Sequence, residues 1–146
     1  LYQGDLMRIM GLDVGSKTIG VALSDPLGWT AQGLTTIRRR NQAADLAALK
    51  ELIQRHGVEE LVVGLPRNMN GSLGPQAEAV RTFAGLLASE LGLPVHFYDE
   101  RLTTVAAGRI LLEADLSRKR RRQVIDQVAA TYILQGYLDR LGQNEV

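Results

Sequence analysis

Three acidic positions have neighbours that surface solvation does not explain. Asp13 lies inside an apolar run, Gly11-Leu12-Asp13-Val14-Gly15, just ahead of Ser16-Lys17-Thr18. Asp99 and Glu100 follow the apolar segment Val95 to Tyr98. Side chains alternate along a strand, so only one of that pair faces the side that Asp13 faces. Asp126 has Ala129, Ala130 and Ile133 at i+3, i+4 and i+7. On a helix its carboxylate therefore projects from an apolar face, where an unpaired charge costs several kcal/mol in order of magnitude. Each position also has a structural use. Asp13 could accept amides of the following turn, Asp99 and Glu100 could cap the next helix, and Asp126 could pair with Arg122 at i−4.

The first segment, Gly11 to Thr18, matches a P-loop except that Ser16 stands where the second glycine belongs. A P-loop must open a helix so that successive amides surround phosphate, whereas Ile19-Gly20-Val21-Ala22-Leu23 is strand-like. Asp13 would also aim negative charge at the phosphates, and the same objection removes a dinucleotide fingerprint. A carboxylate in that place makes sense with a cation between it and phosphate. The chain has no cysteine and two isolated histidines, which leaves oxygen ligands for any such cation.

The positive charge is concentrated. Of 17 basic residues 14 are arginine, and eight of the 17 lie in two runs, Arg38-Arg39-Arg40 and Arg118-Lys119-Arg120-Arg121-Arg122. The planar guanidinium suits phosphate oxygens, but a charge run alone also reads as a solvated surface.

The elements that must position these groups follow from periodicity. Arg8 to Leu12 and Ile19 to Leu23 read as a hairpin turning at Gly15-Ser16-Lys17, and Leu34 to Ile37 as a third strand. Asn41 caps a helix whose apolar positions are Leu46, Leu49, Leu52 and Ile53, ending at Gly57. Leu61 to Leu65 is a strand buried on both faces. A Gly/Asn-rich loop, Asn68 to Gly74, leads to a helix opening at Pro75, with Val80, Phe83, Leu87 and Leu91 as its buried stripe. Val95 to Tyr98 is the next strand. A helix capped by Thr103 or Thr104 runs to about Ala114, and a long final helix carries Ile125, Ala129, Tyr132, Ile133 and Leu138. The order βββαβαβαα predicts an α/β fold with a mixed sheet, its first strands antiparallel and its later ones parallel. Ligands gather at the carboxyl ends of parallel strands in such sheets.

The length of 146 residues suits one domain, and 45% hydrophobic with 23% charged residues is the composition of a globular protein. No apolar stretch approaches the roughly 20 residues of a membrane span, and a cytosolic protein with no membrane partner is expected. The chain opens with Leu1, so residues 1–6 are expected to be added or upstream sequence ahead of a start at Met7. The domain is expected over residues 7–142.

Four motifs in order over nearly the whole chain carry a family resemblance. They are Gly11 to Asp25; Val62-Val63-Gly64-Leu65-Pro66 with Asn68-Met69-Asn70-Gly71; Asp99-Glu100-Arg101-Leu102-Thr103-Thr104; and Asp126-Gln127-Val128-Ala129-Ala130 with Ile133-Leu134-Gln135. Together they closely resemble the YqgF/RuvX family, ribonuclease H-like proteins described as Holliday junction resolvases with a role in maturing pre-16S ribosomal RNA ends. The resemblance implies a ribonuclease H-like mixed sheet with helices on both faces. It also implies a nuclease in which Asp13, Glu100 and Asp126 form a catalytic metal triad, with Asp99 the alternative ligand to Glu100.

Two Mg²⁺ or Mn²⁺ ions held there would bridge the scissile phosphate, one activating water and the other stabilising the leaving oxygen, with no protein base required. Lys17 and Arg101 are candidates for phosphate oxygens, each equally suited to a surface ion pair. Arg118, Lys119, Arg120, Arg121 and Arg122 precede or open the last helix, where cations oppose the dipole, so a polyanion explains them better than local stability does. The implied partner is pre-rRNA or branched DNA, bound by a monomer or a homodimer. The first motif also resembles the phosphate loop of actin-like ATPases and sugar kinases, which enclose a nucleotide between two such domains, and this chain supplies one. The alternative function is a non-catalytic nucleic-acid-binding factor in ribosome assembly that keeps the same fold.

Overall fold

The computed structural model describes residues 8–102 and 118–144, with side chains for 8–101 and 127–142. Strand β1 (Arg8–Val14) turns through Gly15 to β2 (Thr18–Ser24), the turn closing where the Gly15 N–H donates to the Thr18 carbonyl at 2.8 Å. β1 and β2 are antiparallel, with Asp13 opposite Gly20. A turn at Asp25–Thr30, whose aspartate accepts from the Trp29 N–H at 2.8 Å, leads to β3 (Ala31–Arg38), antiparallel to β2. Helix α1 (Gln42–His56) starts where the Asn41 side chain accepts from the Ala44 N–H and stops at Gly57, whose φ of 63° is left-handed. Strand β4 (Val58–Leu65) lies parallel to β1. Helix α2 (Pro75–Leu91) opens at its proline, and β5 (Val95–Asp99) lies parallel to β4. A 3₁₀ turn covers Glu100–Leu102, and α3 (Arg118–Asn144) is the last helix.

The sheet order is β3-β2-β1-β4-β5, with the first pairings antiparallel and the last two parallel, as the pattern of elements predicts. Alternation divides the strand side chains between two cores. Met10, Leu12, Val14, Ile19, Val21, Leu61, Val63 and Leu65 pack with Leu49 and Ile53 of α1 and with Val80, Phe83 and Leu87 of α2. Ile9, Ala22, Val62 and Tyr98 pack with Ala129, Ala130, Ile133, Leu134 and Leu138 of α3. Helices therefore cover both faces, which is why β1 and β4 read as nearly continuous apolar runs.

On the α3 side the strands carry glycines. A Cβ on Gly11 would stand 2.7 Å from the Leu134 Cβ and 3.0 Å from the Ala130 carbonyl oxygen, so the helix backbone rests almost on the strand. Ala129 and Ala130, both fully buried, are the matching small residues on the helix.

Two expectations need correction. β1 runs two residues further than Leu12, to Val14, with Asp13 paired inside it. Tyr132, named among the apolar positions of the last helix, is 38% exposed; the strip against the sheet runs through 129, 130, 133, 134 and 138, and position 132 is turned about 100° from 133. The helix expected from Thr103 or Thr104 to Ala114 lies outside the described residues.

Candidate active site

The row containing Asp13 follows from alternation. Leu12 and Val14 point into the α1/α2 core, so Asp13 shares the α3 face with Ile9 and Gly11. It is half-buried, and Gly20 lies opposite it on β2. On the other side of β1, Leu12 pairs with Val63, which sets Gly64 of β4 level with Asp13. Gly64 is bare on the α3 face: a Cβ there would stand 3.0 Å from the Ile133 Cγ1 and 3.2 Å from the Glu100 Oε1. The Glu100 carboxylate thus reaches from the end of β5 over β4 on the face that Asp13 shares.

Asp99 faces elsewhere. Its Oδ1 accepts from the Arg101 backbone N–H at 3.0 Å, and its two oxygens accept from the Arg101 Nε at 3.1 Å and Nη2 at 2.7 Å. The Arg67 Nε lies 3.8 Å from Oδ2. The hydrogen bonds from the Arg101 guanidinium, foremost, hold the Asp99 carboxyl below the usual carboxylate range. Arg101 is therefore in an ion pair, and its remaining Nη1 lies 3.4 Å from the Met69 carbonyl in the loop after β4. Arg67 Nη1 donates to the Gly71 carbonyl at 3.2 Å, so the two arginines join that loop to the end of β5. The sequence offered no signal for Arg67, which meets Asp99 across 32 positions.

Asp126 occupies a helical position of α3 one turn ahead of Ala130, the residue whose carbonyl lies against Gly11; its side chain lies outside the described residues. Arg118, Lys119, Arg120, Arg121 and Arg122 form the first turns of α3, and their side chains lie outside them too. Among the described residues no three His, Asp or Glu side chains gather closely enough to hold a metal ion. Lys17 is exposed in the β1–β2 turn.

Arg39 has a role that its basic run did not announce. Its Nε donates to the Asp45 Oδ2 at 3.0 Å, its Nη1 donates to the Gly15 carbonyl at 2.8 Å, and its guanidinium lies 4.8 Å from the centre of the Phe83 ring. Asp45 is 2% exposed, and its Oδ1 also accepts the Arg40 backbone N–H at 3.1 Å. The Arg39 backbone N–H donates to the Lys17 carbonyl at 2.9 Å. One arginine thus ties the turn that follows Asp13 to α1 and α2.

Residues 7–140 match the RuvX family, described as Holliday junction resolvase. The chain belongs to the RuvX family. A protein of Moorella thermoacetica named as a candidate pre-16S rRNA nuclease is 89% identical over 140 residues, covering 96% of this chain and all of that one. A Clostridium botulinum protein of the same name is 58% identical over 137 residues, covering 94% of this chain and all of its own length. Among solved structures, T. thermophilus RuvC in complex with Holliday junction substrate superposes with a TM-score of 0.58 at 17% identity, covering 93% of this chain and 96% of that one. At that identity the likeness shows the fold alone, which is ribonuclease H-like. Among the described residues no helix is long and apolar enough to cross a membrane.

Proposed function

We propose that this protein is a divalent-metal-dependent nuclease of the cytosol, a single domain over residues 7–142 that hydrolyses phosphodiester bonds of structured nucleic acid. Its substrate class is the precursor end of 16S rRNA or a branched junction. One observation carries the reading: in a chain of this family, the carboxylates of Asp13 and Glu100 lie on one face of the sheet, across β1 and the bare Gly64 of β4, beneath the helix that bears Asp126.

The donor set fits Mg²⁺ or Mn²⁺, being carboxylate oxygen throughout, and Gly64 leaves the Glu100 Oε1 the space that a Cβ would take. Asp13, Glu100 and Asp126 would hold the metal. When bound, two such ions would activate the attacking water and stabilise the departing oxygen of the scissile phosphodiester. The remaining work belongs to the chain. The hairpin fixes Asp13, and the 3₁₀ turn directs Glu100 toward β4. Asp99, held by Arg101 and Arg67, braces that turn rather than serving as a ligand. Lys17 and the first turns of α3, from Arg118 to Arg122, supply positive charge for the flanking backbone, whereas Arg101 gives its Nε and Nη2 to Asp99 and its Nη1 to the Met69 carbonyl.

Cleavage of matched single-stranded RNA, single-stranded DNA, duplex and four-way junction with Mg²⁺ or Mn²⁺, against a chelator control, tests the reading. Asp13→Asn, Glu100→Gln and Asp126→Asn are each expected to abolish most metal-dependent cleavage and leave the fold intact by circular dichroism; Asp99→Asn is expected to cost less. Binding without cleavage by the wild-type protein under all metals would point to a non-catalytic assembly factor.

A further inference from the structure

The first arginine run divides by alternation into an internal anchor and two outward cations. Ile37 packs into the α1/α2 core, and Arg39 reaches the same side to meet Phe83 and Asp45. Arg38, between them, pairs with Thr18 and shares the α3 face with Thr36, Gly20 and Asp13. It lies one row beyond Asp13 toward the β1–β2 turn and two strands across, roughly 10 Å sideways at a strand spacing of about 4.8 Å. Arg40 follows at the entrance to α1, its backbone N–H fixed on Asp45. Lys17, whose carbonyl accepts from the Arg39 N–H, stands beside them.

Arg38, Arg40 and Lys17 are all exposed, and among the described residues none forms an ion pair. Two exposed arginines elsewhere do: Arg55 with Glu51, and Arg81 with Glu78. Three cations so placed repel one another, and Asp45, the acid that the Arg39 side chain and the Arg40 backbone reach, is buried and already shared by them. An exposed group of cations with no ion pair among the described residues is complementary to a run of backbone phosphates.

We infer that Arg38 and Arg40, with Lys17, form a phosphate-binding ridge that carries the nucleic acid backbone away from the Asp13 side of the site, and that Arg39 is its internal anchor. The inference rests on the nuclease reading and adds the path of the strand on the side opposite β5. The ridge binds phosphate, so it is indifferent to base sequence.

The test is equilibrium binding of fluorescein-labelled single-stranded RNA in chelator, where no metal-dependent cleavage occurs, over a series of salt concentrations. Arg38→Gln/Arg40→Gln is expected to flatten the slope of log affinity against log salt by about 1.4, at about 0.7 for each phosphate no longer neutralised. Arg38→Lys/Arg40→Lys is expected to restore most of it, and Lys50→Gln, an exposed cation on α1, to leave it unchanged. A wild-type slope in the double Gln variant, with its melting temperature preserved, overturns the ridge alone and leaves the nuclease reading standing. A wild-type protein that neither binds nor cleaves nucleic acid overturns the nuclease reading and the ridge with it.

Discussion

Asp99 and Glu100 are adjacent carboxylates with different surroundings because the strand ends between them. Asp99, the last residue of β5, is gripped by the guanidinium two residues on, while Glu100 opens the 3₁₀ turn and lies over Gly64. The Asp99 carboxyl is held below its ordinary range, so its folded form binds a proton less readily than the unfolded chain does. Its contribution to stability is complete above the unfolded carboxylate pKa of about 3.9 and is lost as pH falls through the lower folded value. Asp99→Asn is expected to melt below the wild-type protein at neutral pH, with the gap closing as the solution is acidified below about pH 4. Thermal melts of both proteins down this pH series measure it; a gap that stays constant assigns the loss to packing rather than to the ion pair.

Helix α3 meets the sheet at a distance set by residues with no side chain. Gly11 faces backbone and Cβ atoms of α3, neither of which can swing aside, whereas a Cβ at Gly33 would meet the Gln127 side chain, with its Oε1 at 3.3 Å. Gly11→Ala is therefore expected to push the helix off β1 and destabilise the fold by about 1–3 kcal/mol, the cost of overpacking, and Gly33→Ala to cost less because glutamine has rotamers to spare. Urea unfolding of the two variants separates them. An equal loss would mean that the helix backbone moves freely over the sheet. The same element carries Asp126, so Gly11→Ala is also expected to weaken metal-dependent cleavage while leaving Asp13 and Glu100 untouched.

Across the molecule, the proposed site of Asp13, Glu100 and Asp126 sets catalytic against structural demands. Carboxylates brought together without a cation penalise the folded state through repulsion and desolvation, and a divalent ion relieves it. Asp126→Asn is expected to raise the melting temperature of the metal-free protein and to shrink the stabilisation gained when Mg²⁺ or Mn²⁺ is added. Scanning calorimetry with chelator and with a metal titration reads both quantities. A lower metal-free melting temperature with an unchanged metal response would assign Asp126 to an ion pair such as one with Arg122.

The amino-acid sequence by itself determined the described elements and their order, because each is written in short-range terms: Asn41 and Gly57 bound α1, Pro75 opens α2, and the apolar runs of β1 and β4 demand cover on both faces. It also brought out Asp13, Glu100 and Asp126 through motifs that resemble one family. It did not choose between Asp99 and Glu100, since alternation excludes one of the pair without saying which. Tertiary structure gave the two different surroundings, setting Gly64 of β4 beneath Glu100 and Arg101 and Arg67 around Asp99. It likewise divided the run Arg38-Arg39-Arg40, which reads as one patch of charge along the chain. The middle guanidinium finds a buried carboxylate on α1, a carbonyl in the first turn and a ring on α2, three partners that only the folding of the sheet against its helices brings to one point.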